Sequence, residues 1–166
     1  HSLGEFNILA SRTALDYLIN NNDPRADEFY MRATAAPNAG NQFGIVQGNG
    51  RNLPNPAALN DRQFSKPGPA VGGPGGGASP VVLMSAAESY FLQAEAVARG
   101  WGTGNAKQLY DNGVKISFHR WGFTDADFNT YIAQPALPFL VAGTVENMVK
   151  AIIFQKWVSM CGTENV

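Results

Sequence analysis

Apolar residues recur at the spacing of an α-helix over residues 84–101, MSAAESYFLQAEAVARGW. Ser85 and Glu88 have the spacing of a capping box, which predicts a helix start. Glu95 and Arg99 are one turn apart and predict a surface ion pair. The predicted inner side carries small, aromatic and aliphatic residues: Leu83, Ala87, Tyr90, Phe91, Ala94 and Ala98. Glycines at 100, 102 and 104 then end the helix.

A second helical pattern follows, with Asn105 as its predicted N-cap. Its inner side comprises Ala106, Leu109, Tyr110, Gly113, Ile116 and Ser117. A glycine inside a helix costs about 1 kcal/mol relative to alanine, which indicates that a neighbour approaches Gly113 closely. The short glycine-rich link predicts an antiparallel hairpin. Residues 84–121 have the length of a tetratricopeptide unit, about 34 residues.

Three further segments predict helices. The first is SRTALDYLINNNDPRADEFY, with Ser11 as a cap and a second start at Asp23, Pro24 and Arg25. The second is TDADFNTYIA, which begins with a box of Thr124 and Asp127. The third begins at Thr144 and has a broad apolar face: Val145, Met148, Val149, Ile152, Ile153, Trp157 and Met160. No segment alternates as a strand, so we expect a mainly α fold.

Periodicity disappears from about residue 35 to residue 80, where the stretch KPGPAVGGPGGGASP has the composition of a linker. Long loops of this kind in a compact domain are usually functional or disordered. We therefore divide the chain into a helical segment (1–34), a loop region (35–80), a helical hairpin (81–122) and further helices (123–166). All four are interpreted as parts of one domain.

Composition narrows the classes of function. Twelve Lys and Arg residues against thirteen Asp and Glu give a net charge of −1, with no basic block for nucleic acid. A single cysteine, Cys161, excludes an internal disulfide and a multi-cysteine metal site. The GGPGGG run lacks the lysine and hydroxyl residue of a phosphate loop. His119 and Cys161 have no evident catalytic or metal-binding partners, so we expect no metal, cofactor or enzymatic activity.

Three stretches together resemble one family. LMSAAESYFLQAEAVARGWGTGNAKQLYDNGVKISFHRWG looks like the central helical hairpin of SusD/RagB-like nutrient-binding lipoproteins. SRTALDYLINNNDPRADEFY is similar to the family segment that ends in a DPR triplet, and IIFQKWVSMCGTENV resembles its QKW helix. The family pattern continues beyond both ends of this chain. We therefore interpret the chain as a fragment of the family, with a partial SusD-like α/α fold.

The resemblance implies a non-enzymatic protein that binds oligosaccharides at the outer surface of Bacteroidetes-type bacteria. It implies a lipid anchor outside this chain as the only membrane association. It also implies a partner, a SusC-like TonB-dependent transporter to which the glycan is delivered. The chain opens with HSLGEFN, which lacks the pattern of a signal peptide, and it contains no apolar run of about 20 residues.

Candidate ligand contacts lie in the aperiodic loop, because binding groups concentrate on loops held by a rigid scaffold. Asn, Gln and Arg side chains match the donors and acceptors of a sugar. The candidates are Gln47, Asn49, Arg51, Asn52 and Phe64, with Trp101 in the glycine turn as a stacking residue. We assign structural roles to Asp23, Pro24, Arg25, Ser85, Glu88, Glu95 and Arg99.

Two alternatives stay open. The helical surface is also compatible with a protein-interaction scaffold. The other is a glycoside hydrolase, for which Glu88 and Glu95 would be the carboxylates. At 1.5 Å of rise per residue their backbones stand about 10 Å apart, beyond or at the edge of the spacing in glycosidases.

Overall fold

The computed structural model of the chain describes residues 8–48, 60–68, 71, 82–134 and 143–161. Within these residues the secondary structure is mainly helical, which confirms the predicted fold class. The chain divides into two compact units, residues 1–80 and residues 81–166. The first is held mostly by loop pairing, and the second is built from packed helices.

The first unit contains short elements joined by irregular backbone: α1 (Arg12–Asn20), α2 (Arg25–Phe29), β1 (Tyr30–Met31), a 3-10 helix (Asp61–Gln63) and β2 (Lys66–Pro67). β1 and β2 pair antiparallel, with Tyr30 opposite Pro67 and Met31 opposite Lys66. This pairing is too short to produce an alternating pattern in the sequence. α1 buries Leu15 and Leu18, whereas Ile19 on the predicted inner side is 41% exposed.

A seam of backbone hydrogen bonds joins three distant segments of the first unit. The Ala10 N–H donates to Ser65 O at 2.8 Å, and the Ile45 N–H donates to Ala10 O at 2.9 Å. The Ser65 N–H donates to Phe43 O at 2.8 Å, while Ser65 Oγ accepts from the Phe43 N–H at 3.0 Å. Ser65 is fully buried. Because buried backbone groups need partners, the seam gives the loop region a defined conformation.

Gly44 allows the closest approach within this seam. A Cβ atom at Gly44 would lie 2.6 Å from the Cα atom of Arg12, on the neighbouring segment. The Arg12 N–H donates to Ile45 O at 2.9 Å directly beside this contact. A side chain at position 44 would therefore separate the two backbones and break that bond.

The second unit contains α3 (Ala86–Ala98), α4 (Ala106–Arg120), α5 (Asp125–Ile132) and α6 (Val145–Met160). The side chain of the residue before each helix accepts a hydrogen bond from its first turn. At α5 the predicted capping box of Thr124 and Asp127 is confirmed in both directions. α3 packs against α4 and α6, and α4 also contacts α5 and α6.

The α3–α4 interface is centred on Phe91 and Gly113. Phe91 is fully buried, and its Cζ atom lies 2.8 Å from the position that a Cβ atom of Gly113 would take. The Phe91 ring also meets Tyr110 edge to face, with centroids 6.0 Å apart. The mid-helix glycine therefore accommodates an aromatic ring, as its cost in helix propensity indicates.

The core of the second unit is a cluster of aromatic and small residues: Ala87, Phe91, Ala94, Ala98, Tyr110, Val114, Phe118, Phe128, Tyr131, Val149 and Ile152. Phe118 lies at its centre, with ring centroids 5.0 Å from Tyr131 and 6.3 Å from Phe128. The Gln155 side chain on α6 is buried because its amide donates to the Tyr131 hydroxyl at 2.8 Å.

The structure corrects three details of the predicted helix faces. Leu83 is 87% exposed because α3 begins only at Ala86. α4 buries Val114 and Phe118 beyond its predicted side, since it has neighbours in several directions. α6 leaves Val145 and Ile153 about half exposed and buries Gln155, Val158 and Ser159 instead.

Charged groups connect α4 to the start of α5. Asp125 Oδ2 accepts from Lys115 Nζ at 2.8 Å, and Asp125 Oδ1 lies 2.6 Å from His119 Nε2. The hydrogen bond from Lys115, followed by the one from His119, holds the pKa of Asp125 below its ordinary value of 3.8. A lowered carboxyl pKa means that this contribution to stability is present above pH 3.8 and is lost as the pH falls through the pKa of the folded state.

Replacing Gly113 by alanine tests the close packing against Phe91. Alanine favours a helix by about 1 kcal/mol, but overpacking a buried site typically costs about 1–3 kcal/mol. We expect G113A to lower the free energy of unfolding in urea, followed by circular dichroism. In the F91L background the same change should be neutral or stabilising. Equal effects in both backgrounds would contradict this packing.

Replacing Gly44 by alanine tests the seam of the first unit. We expect a loss of about 3 kcal/mol in stability and faster hydrogen exchange at the Arg12 and Ile45 amides. Gly48 is the matched control, because it has open space around it and a φ of +77°. G48A should cost only the backbone strain of about 1–2 kcal/mol. If G44A exchanged no faster than G48A at these amides, the seam would not depend on Gly44.

The acid dependence of stability tests the cluster at α5. K115Q removes the largest cause of the lowered pKa of Asp125, so NMR titration should show that pKa moving up towards 3.8. D125N should weaken the dependence of the unfolding free energy on pH below 3.8. An Asp125 titration curve that is the same in K115Q and the wild type would contradict the assignment.

Candidate functional site

Two aromatic residues lie together on the surface of the first unit. The rings of Phe43 and Phe64 have centroids 5.9 Å apart and an angle of 38° between their planes. Phe43 is 37% exposed and Phe64 is partly buried. The guanidinium of Arg12 lies 5.7 Å from the Phe43 centroid, and its Nε donates to Asp16 at 3.1 Å. We call these three residues, Arg12, Phe43 and Phe64, the aromatic patch.

The backbone under the aromatic patch is fixed on both sides. Phe43 lies in the seam with Ser65, and Phe64 follows the 3-10 helix, where its N–H donates to Asp61 O at 3.1 Å. The Asp61 carboxylate accepts from Lys66, which is the largest cause of its lowered pKa. The two phenylalanines therefore project from loops whose ends are tied by hydrogen bonds.

Only part of the predicted loop site falls within the described residues. Gln47 is exposed in a turn shortly after the seam, and Phe64 belongs to the aromatic patch. Asn49, Arg51 and Asn52 lie outside the described residues. The structure adds Phe43 and Arg12, which the sequence analysis did not select. Their contact is non-local, so no local pattern links them.

The DPR triplet forms a buried ion pair. Arg25 and Asp23 are both inaccessible to solvent, with Arg25 Nε donating to Asp23 Oδ1 at 2.9 Å and Nη2 to Oδ2 at 2.6 Å. Asp23 Oδ1 also accepts from the Arg25 N–H at 3.1 Å, and Pro24 directly precedes α2. Burial places these charged groups beyond the reach of a ligand at the surface.

The turn after α3 has the geometry of a Schellman motif. The Gly100 N–H donates to Val97 O at 3.0 Å, and the Trp101 N–H donates to Ala96 O at 2.9 Å. Gly100 has a φ of +75°, which a residue with a side chain rarely adopts. The backbone at Trp101 is thus set by two bonds to the last turn of α3.

Trp101 is 76% exposed at this turn. The guanidinium of Arg99 lies 5.3 Å from the centroid of its ring. Arg99 is held in place in turn, because its Nε donates to Glu95 Oε1 at 2.8 Å. An exposed indole is therefore presented on a fixed backbone, with an arginine beside it.

The remaining candidates have local roles. Ser85 Oγ accepts from the Glu88 N–H at 3.0 Å and so caps α3. His119 pairs with Asp125, and Cys161 follows the last turn of α6. Among the described residues, no group of three or more His, Cys, Asp or Glu side chains could hold a metal ion. None of the described helices is long and apolar enough to cross a bilayer.

Comparison with known proteins places the chain in a family. A family model of SusD-like proteins, described as starch-binding and associating with the outer membrane, matches residues 4–164. No curated protein matches the chain. Several solved structures share its fold.

A SusD homolog from Bacteroides vulgatus is 28% identical with a TM-score of 0.71, and the match covers 90% of this chain and 33% of that one. A SusD homolog from Bacteroides fragilis is 21% identical with a TM-score of 0.76, covering 93% of this chain and 37% of that one. A chitin-binding protein is 22% identical with a TM-score of 0.63, covering 94% and 38%.

The chain thus spans about a third of the length of these solved structures. The family model nevertheless covers nearly all of the chain, including both compact units. The predicted resemblance is confirmed: the chain belongs to the SusD-like family.

Proposed function

We propose that the protein carrying this chain binds oligosaccharides without cleaving them. The observation that carries the proposal is the aromatic patch, where two phenylalanines on loops tied by the seam meet an arginine at the start of α1. Flat apolar rings suit the C–H face of a sugar ring, and nearby polar groups supply hydrogen bonds to its hydroxyls. The family description and the name of the chitin-binding neighbour support the same ligand class.

Polar side chains around the aromatic patch give it hydrogen-bonding capacity. Arg12 uses Nε for Asp16, so that pair leaves its terminal amino groups for an acceptor on the ligand. Gln47 is exposed after the seam and offers both a donor and an acceptor. Asn49, Arg51 and Asn52 follow in the sequence, and we keep them as proposed ligand contacts from their residue types.

We further propose that the whole protein acts at the outer membrane of the cell surface, through a lipid anchor outside this chain. There it would deliver oligosaccharide to a SusC-like TonB-dependent transporter. The family description as associating with the outer membrane supports this location. The chain, interpreted as part of one SusD-like domain, would contribute capture rather than chemistry.

The environments of Glu88 and Glu95 favour a binding role over glycoside hydrolysis. Glu95 pairs with Arg99, and the Glu88 backbone belongs to the capped first turn of α3. Retaining and inverting glycosidases need two carboxyl groups about 5–10 Å apart on either side of the scissile bond. Release of reducing ends from starch or chitin by the pure protein would favour the hydrolase alternative instead.

Removing the aromatic patch tests the proposed function. We expect F43A and F64A each to weaken binding of maltoheptaose or chitohexaose, measured by isothermal titration calorimetry, by about fivefold or more. M31A is the matched control, because Met31 is an apolar residue of the same unit and is 40% exposed.

Thermal unfolding of each variant would show that the fold is retained. Wild-type protein that binds neither these sugars nor other glycans on an array would overturn the proposed function. A stable complex with another protein in the absence of sugar would then favour the interaction scaffold.

A further inference from the structure

We infer that the α3–α4 turn forms a further contact for neutral saccharides, built from Trp101, Arg99 and Glu95. This inference rests on the proposed function, and it extends that function to the second compact unit. In it, Trp101 supplies the stacking face, Arg99 supplies donors, and Glu95 orients Arg99. We call this group of three residues the indole platform.

The exposure of Trp101 is the first step of the argument. In a Schellman motif the residue after the glycine commonly packs its side chain back onto the last turn of the helix. Trp101 occupies that position, yet three quarters of its surface is accessible to solvent. An indole buries a large apolar area when it finds a partner, so its exposure on a fixed turn marks a contact surface.

The rigidity of the indole platform is the second step. Two backbone hydrogen bonds fix the Trp101 backbone, and the Arg99 guanidinium lies against its ring at 5.3 Å. A ligand that stacks on a preorganised ring loses less entropy to ordering. Gly102, the next residue, and Gly104 carry no side chains that could cover the ring.

The charge of the indole platform determines the ligand class. Glu95 compensates Arg99 through the Nε contact at 2.8 Å, so the group has no net charge to attract an anion. The same contact uses only Nε of Arg99, so its terminal amino groups remain as donors on a guanidinium that lies over the Trp101 ring. An apolar face with adjacent donors and a balanced charge fits an uncharged pyranose better than a phosphate or an acidic sugar.

Variants of the full-length protein test the indole platform. We expect W101A to weaken binding of maltoheptaose or chitohexaose by about tenfold and W101Y by less, because tyrosine keeps an aromatic face. L92A is the matched control, since Leu92 is an apolar residue of α3 that is 40% exposed. Trp101 is 76% exposed, so W101A should unfold at the wild-type temperature.

Indole fluorescence provides a readout that a purely structural role would not change. In the 166-residue chain, Trp121 and Trp157 are partly buried, so a saccharide on the indole platform should shift mainly the emission of Trp101. The shift should occur in the wild type and L92A and be absent in W101A.

If F43A loses affinity while W101A binds as tightly as L92A, the indole platform is overturned and the proposed function stands. If the wild type binds no glycan, the proposed function fails and this inference fails with it.

Discussion

The second unit depends on one constraint: a phenylalanine ring occupies space that only a residue without a side chain can leave open. The Phe91 ring lies only 2.8 Å from the position that a Cβ atom of Gly113 would take, and this close approach brings α3 and α4 together. The small residues Ala94 and Ala98, also on α3, are buried in the same core cluster. Because the interface is set there, the end of α3 and the turn that follows it have a defined position.

Both proposed contact surfaces use the same local arrangement. In each, an acidic residue one helical turn away holds an arginine beside an exposed aromatic ring: Asp16 and Arg12 with Phe43, and Glu95 and Arg99 with Trp101. A solvent-exposed ion pair contributes little to stability. Its effect here is on geometry, because the carboxylate restricts the orientation of the guanidinium. This arrangement suits recognition of neutral, hydroxyl-rich ligands and offers little to acid–base chemistry.

The sequence predicted the features that depend on neighbours along the chain. These features depend on spacings of a few residues. They are the helical periodicity, the capping box of Thr124 and Asp127, and the close approach of a neighbour to Gly113. Helix faces were predicted less well where a helix has several neighbours, as the burial of Val114 and Phe118 shows. A single apolar stripe cannot reveal how many partners a helix will have.

The aromatic patch could be predicted from the sequence only in part. Phe64 was selected for its position in an aperiodic loop, but its contact with Phe43 depends on a seam whose segments are far apart in the chain. Irregular backbone paired in this way has no period in the sequence. Gly44 and Ser65 are important to the seam, but glycine and serine are common in ordinary loops and do not distinguish it in the sequence.

The ion pair of the DPR triplet has a consequence for the order of folding. Asp23 and Arg25 are separated only by a proline, so bringing them together closes a very short loop at little entropic cost. Proline narrows the conformations of that loop before any tertiary structure forms. The two opposite charges can therefore form their ion pair before the first unit folds around them. They are then desolvated as a pair, which avoids the cost of burying an unpaired charge.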